Sequence, residues 1–207
     1  GQLHYHWHPS SWRGTYRPAY YNYTYSVARG GWVSVGTTNY AYVNPFYVRP
    51  ANTVAFRYDY SRPIQLPAPD YRETTQDLVR SERAIRRFDD AREIFRRGEY
   101  GRAHDLIDEA ILLLPSDPTL HQFRALVLFA RERYRDSSAA LYSVLAVSSG
   151  WDAATVAKLY DDPRRYLEQV DELKRYVVDH RDAIDARFLL AYHCILKGEL
   201  ETADRLL

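Results

Sequence analysis

One motif recurs along the second half of the chain. Gly98-Glu99-Tyr100, followed by Ala103, returns as Arg133-Tyr134 followed by Ser137, and again as Gly198-Glu199-Leu200 followed by Ala203. The first step is 134 − 100 = 34 residues and the second is 200 − 134 = 66, two short of a double period. A fixed period of this size means that each repeat is one supersecondary unit unable to bury its apolar face alone, so neighbours must stack into a shared core. The longer second step predicts one weaker, shortened unit in between.

Apolar spacing makes the unit a helical hairpin. Ile85, Phe88, Ala91 or Arg92, and Phe95 recur at three and four, which places one stripe on one helix face, and Gly98 ends that helix. Asp70 and Glu73 have capping-box spacing and predict where the helical region starts. Ala103, Leu106, Ile107, Ala110, Ile111 and Leu114 share a face of a second helix over about 102–114, stopped by Pro115-Ser116-Asp117-Pro118. The pattern repeats over about 120–133 and 137–147 before a break at Ser148-Ser149-Gly150. Loops this short predict antiparallel neighbours.

These residues resemble the tetratricopeptide repeat (TPR) family over roughly 84–207. In the first unit, about 84–117, Ala91 sits where helices pack closely, Gly98-Glu99-Tyr100 forms the turn, Ala103 and Ala110 permit close approach, and Pro115 closes the unit. Unit two, 118–151, keeps Ala125, Tyr134 and Leu141 but has Ser137 for the small apolar residue and no closing proline. Unit three, 152–183, is degenerate. Only Tyr166, Val170, Leu173 and Val177 keep helical spacing there, and Asp161-Asp162-Pro163 interrupts it. Unit four, 184–207, uses Leu190, Ala191, Cys194, Gly198, Leu200 and Ala203 and runs off the chain. The resemblance implies an all-α solenoid of hairpins wound into a right-handed superhelix. The wider layout, with Tyr58–Ile64 before the repeats and Gly150-Trp151 after unit two, also resembles bacterial envelope-associated repeat proteins of undefined role.

A stack of this kind leaves an inner surface made by the first helix of each unit, and the resemblance implies that a polypeptide binds there. The inward positions are Phe88, Arg92, Phe95 and Arg96, then Gln122, Leu126 and Phe129, then Phe188, Tyr192 and Ile195. Such an apolar groove rarely stays uncovered. The chain's own segment 54–64 is a candidate occupant, with Phe56, Tyr58, Tyr60 and Ile64 as anchors. The competing reading makes Phe88, Phe95 and Phe129 ordinary core residues between units. Arg92 and Arg96, four apart, either grip a partner carboxylate or pair with Asp89 and Glu93 in solvent.

Residues 1–69 obey different physics. Runs such as Tyr20-Tyr21-Asn22-Tyr23-Thr24-Tyr25 favour extended backbone, while Pro9, Pro18, Pro45, Pro50, Pro63, Pro67 and Pro69 interrupt any ladder. This predicts an extended or disordered, mostly irregular arm ahead of the helical domain over 70–207. The arm carries Arg13, Arg17, Arg29, Arg49 and Arg57 against Asp59, although the whole chain has a formal net charge of only +1. A glycan- or nucleic-acid-binding module acting through the arm, with Arg29-Gly30-Gly31-Trp32 stacking on sugars or bases, is therefore the alternative to a protein-binding scaffold. An adhesive, self-associating arm is the third reading.

Chemistry is thinly represented. His4, His6 and His8 alternate and would point to one side of an extended segment, where zinc or copper could gather them, but no cysteine or carboxylate ligand lies nearby. His104, His121, His180 and His193 are scattered and read as surface or packing residues. Cys194 falls on a packed face beside Leu190 and Ala191, and His193 points about 100° away from it. No glycine-rich phosphate loop or nucleophile elbow is present. The expectation is a non-catalytic interaction scaffold with no cofactor and no metal, whose partner is a protein or peptide. No apolar run approaches the roughly 20 residues a membrane span needs. The bacterial envelope or a secreted location is expected, with the cytoplasm left open. A chain that lacks methionine altogether and breaks off in mid-helix reads as processed or truncated.

Overall fold

The computed structural model describes residues 23–26, 31–34, 42–49, 58–67 and 74–207. The elements are β1 (Tyr23–Ser26), β2 (Gly31–Ser34), α1 (Thr75–Arg96), α2 (Tyr100–Leu113), α3 (Pro118–Ala130), α4 (Tyr134–Leu145), α5 (Ala153–Ala157), α6 (Pro163–Asp179), α7 (Ile184–Leu196) and α8 (Leu200–Leu206). From residue 74 onward the regular structure is all α. Within the arm, β1 and β2 pair antiparallel with Tyr23 opposite Ser34, a short ladder where irregular chain was expected. Residues 42–49 and 58–67 contain turns and no regular element.

Helix starts follow local chemistry. Thr74 caps α1: its hydroxyl oxygen accepts from the Asp77 amide, and the Asp77 carboxylate accepts from the Thr74 amide, closing a capping box. The pair expected to do this, Asp70 and Glu73, lies outside the described residues. Asp117-Pro118 and Asp162-Pro163, read from sequence as breaks, also begin helices. Each aspartate accepts from an amide in the first turn, and the proline occupies a position whose N–H would have had no helical partner.

The recurring motif becomes one backbone shape used three times. At the end of α1, Gly98 N–H donates to the Phe95 carbonyl and Glu99 N–H to that of Ile94. Glu132 and Arg133 make the same pair of bonds to Phe129 and Leu128, and Gly198 and Glu199 make them to Ile195 and Cys194. This is the Schellman stop, and it requires a left-handed residue at its centre. Gly98 (φ 81°) and Gly198 (φ 78°) supply it readily, whereas Glu132 adopts φ 58° at a cost. The small residue three positions into each following helix is sealed: Ala103, Ser137 and Ala203 are all buried. Ser137 fits an apolar slot because its hydroxyl donates to the Ala125 carbonyl, 2.8 Å away.

The first four helices pack as consecutive antiparallel neighbours. Between α2 and α3 the paired positions run in opposite directions, with Asp108 against Arg124 and the Pro115 carbonyl against His121. The next hairpin breaks this pattern. α7 sits directly on α4, and its pairings advance in the same sense along both helices: Ser138 donates to the Asp185 carbonyl, and Tyr142 meets Phe188. Residues 152–183, expected as a degenerate repeat stacked between units two and four, do not separate them. They form α5 and α6, with Lys158 and Arg165 meeting Arg96 at the end of α1 and Tyr166 meeting Phe129 of α3 and His193 of α7. As a result α3 is wrapped on every side, with all residues from Pro118 to Phe129 buried.

Candidate polypeptide-binding face

Gln122, Leu126 and Phe129 share one side of α3, as their spacing requires. With Tyr192 and His193 of α7, and Trp151 and Val156, they line a cavity of about 20 Å³. A space that size admits nothing much larger than water. The face itself is covered by chain. The Tyr160 ring stands 4.9 Å from that of Phe95, and the Tyr166 ring lies 6.4 Å from Phe129 and 5.6 Å from His193. The Tyr166 hydroxyl reaches His193 Nδ1 at 3.0 Å. Around the rim, Arg96 donates to the Lys158 carbonyl, Arg165 donates to the Arg96 carbonyl, and Gln169 donates to the Tyr100 hydroxyl.

The ten expected groove residues separate into three groups. Gln122, Leu126, Phe129 and Tyr192 meet, and Gln122 Nε2 donates to the Tyr192 hydroxyl at 2.9 Å. Phe95 and Arg96 join this face through Tyr160 and Lys158. Phe88 belongs instead to the core, edge-on to Phe123 at 5.2 Å, and Arg92 lies over the Phe88 ring with Asp89 3.3 Å away. Phe188 points to the arm, stacked on Phe46 at 4.8 Å, and Ile195 is partly buried against the core.

Of the expected occupant, 54–64, residues 54–57, Phe56 among them, lie outside the described residues, and 58–64 pack elsewhere. Tyr58 and Tyr60 pack on His121, 4.3 Å and 5.7 Å between ring centres, and Ile64 is buried. His121 is one residue from Gln122 and hence about 100° around α3, so this is a different side of the helix. The seat is built for irregular chain. Asn44 accepts the Phe46 amide on its side chain, making an Asx turn, and donates to the Ala139 carbonyl of α4 at 2.8 Å. Tyr42 shares a 2.6 Å hydrogen bond with Ser143, and Phe46 fills the space between Tyr142 and Phe188.

Buried polar groups hold both covering segments. His121 Nε2 lies 2.9 Å from the Pro115 carbonyl, which can only accept, so the ring proton is on Nε2 and Nδ1 accepts from the Tyr60 hydroxyl at 3.0 Å. Burial pushes His121 down to about 4 and His193 down to about 3, so both rings are neutral at pH 7. Arg124 is deeply buried, which works against its charge, but the Asp108 carboxylate 2.6 Å away holds the guanidinium charged. Its guanidinium lies 5.7 Å from the Tyr60 ring centre. Burial raises the Tyr60 and Tyr166 hydroxyls, keeping them protonated as donors.

Sequence reasoning read His121 and His193 only as surface or packing residues, and it passed over the Asp108–Arg124 pair. A signal was present: Leu120–Ala130 is apolar all round, which marks a helix without a solvent face, so its polar residues had to find protein partners. Burial raises the Cys194 thiol as well, away from the reactive thiolate. Among the described residues no cluster of three His, Cys, Asp or Glu side chains could hold a metal, and His4, His6 and His8 lie outside them. Also among the described residues, no helix is long and apolar enough to cross a membrane. Comparisons with protein-family models, curated proteins and solved structures returned no match to the chain.

Proposed function

We propose that the chain is a non-catalytic scaffold of tetratricopeptide type that holds polypeptide segments against α1, α3 and α7. One observation carries this reading: segments outside the recurring motif are already held this way, α5–α6 on the Phe129 side of α3 and residues 58–67 on its His121 side, with residues 42–49 against α4 and Phe188 of α7. Apolar anchors spaced along a segment and set into an aromatic face are a general means of peptide recognition. The threefold Schellman turn and its buried small residue support a tetratricopeptide assignment for α1–α4 and α7–α8. In this reading the right-handed winding belongs to α1–α4, and α7–α8 departs from it. The bacterial envelope or the secreted fraction is the location that goes with this function.

Photo-crosslinking tests the proposal. A photoreactive residue is placed at Arg96 or Arg165 on the rim, or at the exposed Glu82 or Arg205 as controls, and the cells of origin are irradiated. The scaffold reading expects a recurrent polypeptide adduct at the rim positions and none at the controls. Absence of rim adducts, or equal adducts at the controls, contradicts it.

A further inference from the structure

The covering segment has the construction of a ligand. α4 packs directly on α7, so the contact joining the two parts of the repeat body does not pass through α5–α6. Of the 17 residues of α6, only Val170 and Leu173 are buried, while Leu167 (46% exposed) and Val178 (66%) face solvent. Non-helical chain flanks the segment on both sides, at 148–152 with Gly150 at φ 73°, and at 180–183.

Its contacts read as a recognition pattern. Arg165 donates to the Arg96 carbonyl, close to the negative end of the α1 dipole, where a cation is favoured. The next residue, Tyr166, sets its ring near Phe129 and its hydroxyl on His193. Val170 and Leu173 follow four and seven positions after the tyrosine, on the same helix face.

We infer that α5–α6 is an internal stand-in for the partner, and that the partner is an amphipathic helix that displaces it. That helix carries a basic residue, then an aromatic, then aliphatic residues four and seven positions after the aromatic. The inference rests on the scaffold reading above and deepens it by naming the partner's chemistry. A chain closed by its own helix binds a competitor more weakly in proportion to the small fraction that is open.

The test supplies α6 in trans. Replacing both Val170→Asp and Leu173→Asp in the full chain removes the internal helix's anchors and leaves the α3 face unchanged. A labelled synthetic peptide of residues 158–180 is then titrated into this variant and into the wild-type chain. The expected result is saturable binding to the variant, binding at least about tenfold weaker to wild type, and none by a peptide carrying the same two substitutions. A folded variant that does not bind the peptide overturns the inference.

Native-state hydrogen exchange on the wild-type chain decides the matter if the variant does not fold. Amides of α6 exchanging at least about tenfold faster than those of α3 support displacement. Equal rates, set by one global unfolding, overturn it. Loss of peptide binding with rim crosslinks retained would overturn this inference alone, whereas peptide binding without any cellular adduct would overturn the scaffold reading alone.

Discussion

The hydroxyl of Tyr60 lies 3.0 Å from Nδ1 of His121, and this hydrogen bond joins the irregular arm to α3, which is buried from Pro118 to Phe129. A second bond of the same kind and length joins Tyr166 of α6 to His193 of α7. Each non-repeat segment is therefore fastened by a tyrosine to a neutral, buried histidine.

Acid should loosen both fastenings. Free histidine takes a proton near pH 6.5, while His121 and His193 in the fold resist it down to about 4 and about 3. The unfolded chain binds more protons in this window, so stability is full above about pH 7 and falls as pH drops through 6.5 toward those values. Each histidine accounts for up to roughly 3–5 kcal/mol. Burial lifts the Asp117 carboxyl and opposes part of the effect. Melting curves between about pH 8 and pH 4.5 should fall steeply on the acid side. The slope should shrink in His193→Phe; an unchanged slope would contradict the assignment.

Removing the arm's tyrosine hydroxyl should be costly at one position and not at its neighbour. Tyr60→Phe leaves a buried histidine nitrogen without its donor and should cost about 1–3 kcal/mol. Tyr58→Phe loses only a 3.4 Å bond at an exposed site and should cost less than about 0.5 kcal/mol. Urea denaturation measures both.

Two ion pairs should behave oppositely. Asp108→Ala strands the buried Arg124 and should cost about 3–5 kcal/mol. Glu82→Ala removes the solvent-exposed partner of Arg86 and should change stability by less than about 1 kcal/mol. The same denaturation series compares them.

The turns offer a backbone test. Gly198→Ala forces a Cβ into left-handed backbone where nothing lies within 4 Å, so its loss of about 1–2 kcal/mol is conformational alone. Glu132→Gly should be neutral or slightly stabilising, because the two effects of glycine, relief of strain and a more disordered unfolded chain, nearly cancel. A clear loss of stability in Glu132→Gly would show that the side chain does more than tolerate the turn.

What could be read from sequence was local and periodic. The 34-residue step marks the Schellman turns because glycine, or a residue forced into glycine's conformation, must recur there. Ala103, Ser137 and Ala203 mark close helix packing for the same reason. The placement of 152–183 was not legible. Tyr166, Val170, Leu173 and Val177 have the spacing of any amphipathic helix, and spacing says which face is buried without saying what it is buried against. Equally, Tyr60 has nothing local to show that it docks on His121 rather than beside Gln122. One residue of register on α3 separates the two seats.

The most direct test of the central claim, that the chain's own segment 151–166 covers the Phe129 side of α3, is nuclear Overhauser contact in the isotope-labelled chain. Cross-peaks from the Tyr166 ring to the rings of Phe129 and His193 are predicted, with Gln122 and Leu126 protected from a soluble paramagnetic probe. If those cross-peaks are absent and Leu126 and Phe129 are bleached by the probe, the face is open and the account fails.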